Sequence, residues 1–577
     1  MLSNLLQFCK NKLFKNKTPL QHLNAKLKLQ CSLWFFTLIY LLFVMIFSNT
    51  NFWGTLYSLN SQSFAVFARL CVFLIFLLGF CYAFCLVSVK LILLAFCKAK
   101  FNKYFKIFLC IITIANAFAS YFISSYNIYM DESMIDNILH TDSKEASNLF
   151  SMQMVIYILT FGILPCFVIL KTQITPLQSN FAKYFVKNLV VLLLIFIMLL
   201  LSFVLSVRQI ITFGRLHKNI LDKSSPYCYI VNPYYYVKKK IIKQRALNAK
   251  PPLSLQLSMA QQSSNKLKVA VVIIGETARR ANFSLYGYAR QTNPNLSKHK
   301  DIVVFNNTTS CGVNTAVSVP CIFYPAGSEQ FKNNPQNYKS YLAYMAQLKD
   351  LSISWYDNNF GGCYKACKGD GIKATDTQTY KDAKLCGGGE CLDEVLLQNI
   401  EPDIQSAVKQ GKNALIVLHQ NGSHGPLYYK RYPQHFAKFA PACQSSNPQT
   451  CTKQELINAY DNTILYTDFI LSSIIDKLKQ AKQNAKKQGK ELEVLMIYTS
   501  DHGESLGENN LYLHGMPYSI APREQKEIPL ILWGSGANIV ALNPNGERSH
   551  DAITNSILDF FGIKSPLYNK DASLVAG

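Results

Sequence analysis

Acidic residues are scarce in this chain. Its 577 residues include 34 Asp and Glu against 58 Lys and Arg, a formal net charge of +24, and only 16% of positions are charged. So little charge, beside 50% hydrophobic and 13% aromatic residues, excludes a disordered protein and points to a membrane-embedded portion. No helix-turn-helix, zinc-finger or RNA-binding motif accompanies the basic excess, so a nucleic-acid partner is not expected. The lysines flank apolar runs instead, which suits an anionic lipid surface. No internal repeat and no low-complexity tract is present.

Five apolar runs approach or exceed the roughly 20 residues that span a bilayer core: about Gln30–Phe47, Phe64–Val89, Phe105–Ile123, Gln153–Leu170 and Phe185–Val207. A cleaved signal peptide would offer one short apolar core, not five. Lysines set the orientation. Lys10, Lys12, Lys15, Lys17, Lys26 and Lys28 precede the first run, and the next loop, Ser48 to Ser63, has neither Lys nor Arg. Lys98, Lys100 and Lys103 follow the second run, and Lys171, Lys183 and Lys187 surround the fourth loop. The loop after the third run is acidic, with Asp131, Glu132, Asp136, Asp142 and Glu145 against Lys144. The N-terminus is therefore expected in the cytoplasm and everything after Val207 outside.

Cysteine usage follows the same division. Nine of the seventeen lie at or before Cys228, mostly inside apolar runs, where cysteine is a small apolar filler. The other eight fall in close pairs: Cys311/Cys321, Cys363/Cys367, Cys386/Cys391 and Cys443/Cys451. Separated pairs on an oxidising face, with no CxxC among them, favour disulfides over a zinc cluster. Cys228 is left unassigned.

Residues 1–207 thus form an expected membrane domain, 208–264 a connector and 265–577 an outer catalytic domain. The connector holds SSPYCYIVNPYYYVKKKIIKQRA, tyrosines and lysines suited to the headgroup level. For Leu247 to Ser264 an interfacial segment and a solvated linker both remain open. From Lys266 onward, buried-type strand runs (LKVAVVIIG, DIVVFN, LSISWY, ALIVLH, EVLMIY, IPLILWG) alternate with helical stretches at Tyr338–Leu348, Asp393–Gln410 and Gln454–Gln480. That is an α/β domain, with a mainly parallel sheet and helices on both faces.

The residues just past these runs carry the chemistry. Glu276, the Thr308-to-Thr315 stretch, Asp357-Asn358-Asn359, His419 with His424, and Asp501-His502 each stand at or just beyond a strand end. Ligands of open α/β sheets lie beyond the carboxyl ends of the strands, so these residues are expected to converge. Glu276, Asp501 and His502 make a zinc-type set of two carboxylates and an imidazole. Thr315, in the cysteine-bracketed SCGVNTAVSVPC, is a hydroxyl that a cation can activate at a helix N-terminus.

GET at 275–277, SCGxxTAxSVPC at 310–321, HQNGSHGP at 419–426 and SDHGESLGENxxYLHG at 500–515 resemble the membrane-bound phosphoethanolamine transferases. That family includes the lipid A transferases and the mobile colistin-resistance enzymes, within the alkaline-phosphatase/sulfatase-like superfamily, and the resemblance covers nearly the whole chain. It implies five transmembrane helices followed by an alkaline-phosphatase-like α/β domain. It implies a multi-pass protein of the bacterial inner membrane with a periplasmic catalytic domain, expected to be monomeric among membrane lipids. It implies one principal Zn2+ held by Glu276, Asp501, His502 and Thr315, with Thr315 as nucleophile. It implies that His424 and His514 contact the phosphate or hold a second zinc during turnover. The donor is then phosphatidylethanolamine, the intermediate a phosphoethanolamine-threonine, the leaving group diacylglycerol, and the acceptor lipid A or another envelope group, with polymyxin resistance as the consequence.

The family also uses an Asn-x3-Thr-x3-Glu stripe to hold the ethanolamine head. Asn137, Thr141 and Glu145 match it, and a spacing of four, about 400° of helix, would put them on one face. Where the family has a lysine in a Cys-Lys-Gly-x-Cys segment, Tyr364 stands here. Either Lys365 or Lys368 substitutes or the contact is lost, and Asn359 is the expected amide donor. A phosphoglycerol transferase of the same superfamily, and a non-enzymatic scaffold with a relic site, are the alternatives.

Overall fold

The computed structural model describes residues 30–575, apart from 62, 98–99, 142, 176–180, 218, 249–252, 260–265, 334, 360–361, 376–379, 381, 388–389 and 536–541, and apart from the side chains of 133, 140, 143–145, 181, 215 and 243–248. The described residues form two compact units. One comprises 1–124 and 152–233, the other 125–151 and 234–577.

In the first unit the apolar runs are helical, since a backbone in hydrocarbon must satisfy its polar groups internally. Helices Phe64–Phe96, Phe101–Tyr126, Met152–Lys171 and Ala182–Gly214 are long and apolar enough to cross a membrane. The first expected span is instead a pair, Leu33–Phe47 and Thr50–Leu59, bent by 52°. The described residues thus hold four such helices, or five if the bent pair is one span. The bend has a local cause. Asn49, between the two helices, turns its amide back to the Val44 carbonyl (3.1 Å) and accepts from the Ser225 N–H (2.7 Å). The Phe64–Phe96 helix buries Leu70, Leu74, Leu78, Tyr82 and Leu86, an i, i+4 row.

The second unit is built on a seven-stranded sheet. Its strands are β1 (Lys266–Gly275), β2 (Val303–Val304), β3 (Leu351–Asp357), β4 (Ile372–Thr375), β5 (Asn413–His419), β6 (Glu491–Ser500) and β7 (Leu530–Ser535), in the order β2-β7-β6-β1-β5-β3-β4. Pairings from β6 through β4 are parallel, whereas β7 runs antiparallel to both β6 and β2. The sheet is therefore mixed, with four parallel and two antiparallel pairings.

Both faces are covered, as the unbroken apolar strands require. Val269, Val271 and Ile273 pack in one core with Ile464, Leu471 and Ile475 of the Lys453–Lys487 helix. Ala270, Val272 and Ile274 point the other way, into a core shared with Ile553, Ile557 and Phe561 of the Asp551–Phe561 helix. Four disulfides join Cys311 to Cys321, Cys363 to Cys367, Cys386 to Cys391, and Cys443 to Cys451. Cys228 is a free, buried thiol of the first unit.

Candidate metal centre and active site

Parallel strands β1, β3, β5 and β6 end at one level: Ser500 pairs with Gly275, and His419 with both Ile274 and Asp357. Each chain leaves the sheet there, so Glu276, Asn358-Asn359, Gln420 and Asp501-His502 share one edge. Gly422 makes the close approach that seats β5's exit loop on β1's. Its φ is +51°, and a Cβ there would sit 2.8 Å from the Glu276 backbone N and O.

The Glu276, Asp501 and His502 side chains are fully buried, and one ligand atom from each lies within 4.8 Å of the others. Asp501 Oδ1 accepts from the Thr277 and His502 N–H groups (3.1 and 2.7 Å). Glu276 Oε2 accepts from Thr315 Oγ1 (3.0 Å) and Asn359 Nδ2 (2.7 Å). The opposite oxygens, Glu276 Oε1 and Asp501 Oδ2, accept no hydrogen bond. His502 Nδ1 lies 2.9 Å from the Gly503 carbonyl, so Nδ1 carries the proton and Nε2 a lone pair. That lone pair faces Asp501 Oδ2 at 3.2 Å, Glu276 Oε1 at 3.4 Å and Thr315 Oγ1 at 3.4 Å. Buried lone pairs converging without a donor are what a divalent cation satisfies, and an oxygen, oxygen, nitrogen set with a hydroxyl beside it fits zinc.

The electrostatics agree. Burial, and then the Asp501 charge, push the Glu276 carboxyl well above the usual carboxylate range; burial likewise raises Asp501. Burial holds His502 and His424 well below the usual imidazole value, which keeps them neutral, the ligating form. Glu276, His424 and His514 form a second set with ligand atoms within 4.8 Å. The His514 ring lies 4.4 Å from the His502 ring, and its Nδ1 is 3.2 Å from Glu504 Oε2.

Thr315 is the first residue of the Thr315–Ile322 helix, whose N-cap Asn314 accepts from the Val317 N–H at 2.9 Å. Asn359 is at the centre. Asn137 lies in the helix Glu132–His140, and a Cβ on Gly515 (φ +87°) would meet its amide at 3.0 Å, so it packs against Gly515, the residue after His514. Thr141 ends that helix, its hydroxyl and N–H both bound to the Asn137 carbonyl (2.9 and 2.8 Å), and a new helix starts at Ser143. The expected continuous Asn137–Thr141–Glu145 stripe is therefore broken at Thr141, and the Glu145 side chain lies outside the described residues. Lys365 is exposed on the Cys363–Cys367 loop, and no hydrogen bond or ion pair among the described residues joins it to the cluster.

Several supporting residues escape sequence reasoning. His550 accepts from the Cys311 N–H at Nδ1 (3.1 Å) and donates from Nε2 to the Ser500 carbonyl (2.9 Å), tying the Thr315 loop to the end of β6. Asp393 accepts from the Asn421 and Gly422 N–H groups (both 2.9 Å). Neither follows an apolar run, so no pattern marks them. Glu504 does stand in the conspicuous DHGES stretch.

A family model described as Sulfatase matches residues 268–563, and one described as Phosphoethanolamine transferase EptA/EptB matches 86–241. Phosphoethanolamine transferase EptA of Escherichia coli (strain K12) is 36% identical over 429 residues, 74% of this chain and 75% of the relative. Phosphatidylethanolamine transferase Mcr-2 of Escherichia coli is 32% identical over 499 residues, 84% of this chain and 89% of the relative. The integral membrane protein lipooligosaccharide phosphoethanolamine transferase A (EptA) from Neisseria meningitidis superposes with a TM-score of 0.82 at 29% identity, covering 95% of this chain and 99% of that one.

Proposed function

The chain belongs to the phosphoethanolamine transferases, and from that premise we propose that it moves phosphoethanolamine from phosphatidylethanolamine to lipid A or another envelope acceptor. The carrying observation is the Thr315 hydroxyl, 3.0 Å from Glu276 and 3.4 Å from His502, at a helix N-terminus. The lipooligosaccharide named for the Neisseria relative supports a lipid acceptor.

Glu276, Asp501, His502 and Thr315 hold the principal zinc. Bound there, zinc stabilises charge on the phosphoryl oxygens and lowers the pKa of the threonine alcohol. Thr315 Oγ1 attacks the donor phosphorus, forming a Thr–O–P bond while the P–O bond to glycerol breaks; the diacylglycerol oxygen takes up a proton. An oxygen of the acceptor then attacks the same phosphorus, and the Thr315 oxygen leaves. Glu276 Oε2 accepts the Thr315 hydroxyl hydrogen bond before the first attack, and Asn359, fixed on Glu276, keeps that oxygen in place. His424 and His514 contact the transferred phosphate or, with Glu276, hold a second zinc. Asn137, Thr141 and Glu145 receive the ethanolamine head, and Lys365 or Lys368 the phosphate. Residues 1–207 are the membrane domain with a cytoplasmic N-terminus, 208–264 the interfacial connector and 265–577 the periplasmic catalytic domain of an inner-membrane monomer. Polymyxin resistance is the expected phenotype.

Mass spectrometry of lipid A from cells carrying the wild type or Thr315→Ala tests this. A phosphoethanolamine increment should appear with the wild type and vanish with the variant. Unmodified lipid A beside normally expressed wild-type enzyme would exclude lipid A as acceptor.

A further inference from the structure

Beyond Leu253, the described residues of the second unit leave two large hydrophobic side chains exposed: Tyr518 at 37% and Ile520 at 42%. They stand two apart in the segment after His514. The other large hydrophobic side chains described beyond Leu253 are covered, so the pair stands out on that stretch of the surface.

The segment is fastened to the nucleophile loop at three places. The Gly515 N–H donates to the Val313 carbonyl (2.9 Å), and the Tyr518 hydroxyl donates to the Ser310 carbonyl (2.8 Å). Met516 and Ala521 are buried with Val313. Ile520 and part of Tyr518 remain exposed, and the anchor points Ser310 and Val313 lie a few residues before Thr315.

Two cations converge on the same ring. Lys332 Nζ lies 4.3 Å and Lys526 Nζ 5.6 Å from the Tyr518 ring centroid. Neither ammonium makes a contact ion pair or a hydrogen bond among the described residues. Glu527 is paired with Arg280 and Arg523, and Asp551, which accepts from Ser328, acts on Lys332 only from beyond ion-pair distance. Two ammonium groups without a contact partner around one aromatic face, beside an exposed aliphatic side chain, match a ligand that joins a phosphate to a hydrocarbon body.

We propose that Lys332, Lys526, Tyr518 and Ile520 form the docking platform for the acceptor, a phosphorylated amphiphile, whose phosphate sits on the two lysines and whose apolar part covers Tyr518 and Ile520. The platform rests on the transferase reading above and supplies what it leaves open, the place where the second substrate meets the enzyme.

The test uses full-length enzyme in mixed micelles with two readouts: diacylglycerol release from fluorescent phosphatidylethanolamine without acceptor, and transfer to bisphosphorylated lipid A. Lys332→Ala with Lys526→Ala, and separately Ile520→Ser, should each raise the apparent KM for lipid A about tenfold, the scale of one charge-assisted or well-buried contact. Acceptor-free diacylglycerol release should stay within about twofold in both variants, since none of these three side chains bonds to the nucleophile loop, whereas Tyr518 is left in place because its hydroxyl does. An unchanged melting temperature verifies folding. An unchanged KM overturns the proposal. So does an equal fall in diacylglycerol release, which would make the segment a mere support for the nucleophile loop. So does a loss confined to the lysine variant together with competition by inorganic phosphate, which would mean a bare phosphate site. Absence of diacylglycerol release by the wild type would instead overturn the transferase reading itself, and the platform with it.

Discussion

At the scale of single residues, His550 shows how a side chain outside the reacting set governs it. Its two ring nitrogens make opposite bonds, one accepting from the loop that carries Thr315 and one donating to the strand that carries Asp501 and His502. Truncation leaves a buried N–H and a buried carbonyl unpaired, each worth roughly 1–3 kcal/mol, and frees the nucleophile from the ligand strand. His550→Ala is expected to lower kcat per folded molecule at least about tenfold, by loss of alignment, with little change in KM for the donor. His550→Asn, which can still accept from Cys311, should recover part of kcat; equal loss in both variants would sink the positioning role. Asp468 offers a pH-dependent counterpart far from the chemistry. Its oxygens accept from the Asn295 and Leu296 N–H groups (2.8 and 2.9 Å), and burial pushes its carboxyl up to about 6. A folded value above the unfolded one means the native state holds the proton more tightly. The stabilisation from Asp468 is therefore complete below about pH 4 and lost as pH rises through about 6, roughly 3 kcal/mol in all. Asp468→Asn should gain stability relative to the wild type between pH 4 and pH 7 in denaturant melts, and a pH-independent difference would contradict this. Legibility also divides by residue. Glu276, Asp501 and His502 could be read because each directly follows an apolar strand. Asp393 and His550 could not, because their partners are backbone groups of loops distant in the chain.

Among elements, strands with continuous apolar runs were readable, and β1, β3, β5, β6 and β7 fall where those runs lie. Strand β4 was not: Ile372–Thr375 is short and nowhere fully buried, since it lies at the sheet edge beside β3 alone. The helix expected to run from Asn137 to Glu145 is interrupted at Thr141 for a related reason. Spacing carries the helical period but not the side-chain bond by which Thr141 closes the first helix on Asn137. What positions this segment is a longer linkage. Asn148 donates to Glu390 (2.7 Å), Glu390 accepts from Arg431 (3.2 Å), and Arg431 donates to the His424 carbonyl (2.9 Å). Glu390 sits on a hairpin closed by the Cys386–Cys391 disulfide. Asn148→Ala cuts only the first link and leaves Glu390 paired with Arg431. It should raise KM for phosphatidylethanolamine by about three- to tenfold, the value of one ordinary net hydrogen bond, with kcat within about twofold. Cys386→Ser should move KM in the same direction. Unaltered donor kinetics in both would remove this linkage from substrate binding.

On the scale of the whole molecule, chain order and compactness diverge. Residues 125–151 lie between two membrane-type helices in sequence yet group with the sheet, held by bonds such as Tyr126 to the Ser446 carbonyl (2.9 Å) and Asn127 to the Asn510 carbonyl (3.0 Å). Hydropathy finds the helices but is blind to such pairings, each across more than three hundred residues. The sheet unit also concentrates its electrostatic conflict in one place, because Glu276 and Asp501 are both fully buried and each keeps an oxygen without a donor. Like charges so enclosed destabilise the fold unless a cation lies between them. Zinc bound to the native state alone should add about 4 kcal/mol at a free concentration a thousand times Kd. Chelation is therefore expected to lower the melting temperature of the wild type, with recovery on adding zinc back. Glu276→Gln removes one of the two charges, so its response should invert: the metal-free variant should melt above the metal-free wild type, and zinc should raise it far less. If chelator leaves the wild type unmoved and Glu276→Gln melts lower in both conditions, the two carboxylates are held by protons rather than by a metal, and the proposed chemistry at Thr315 loses its foundation.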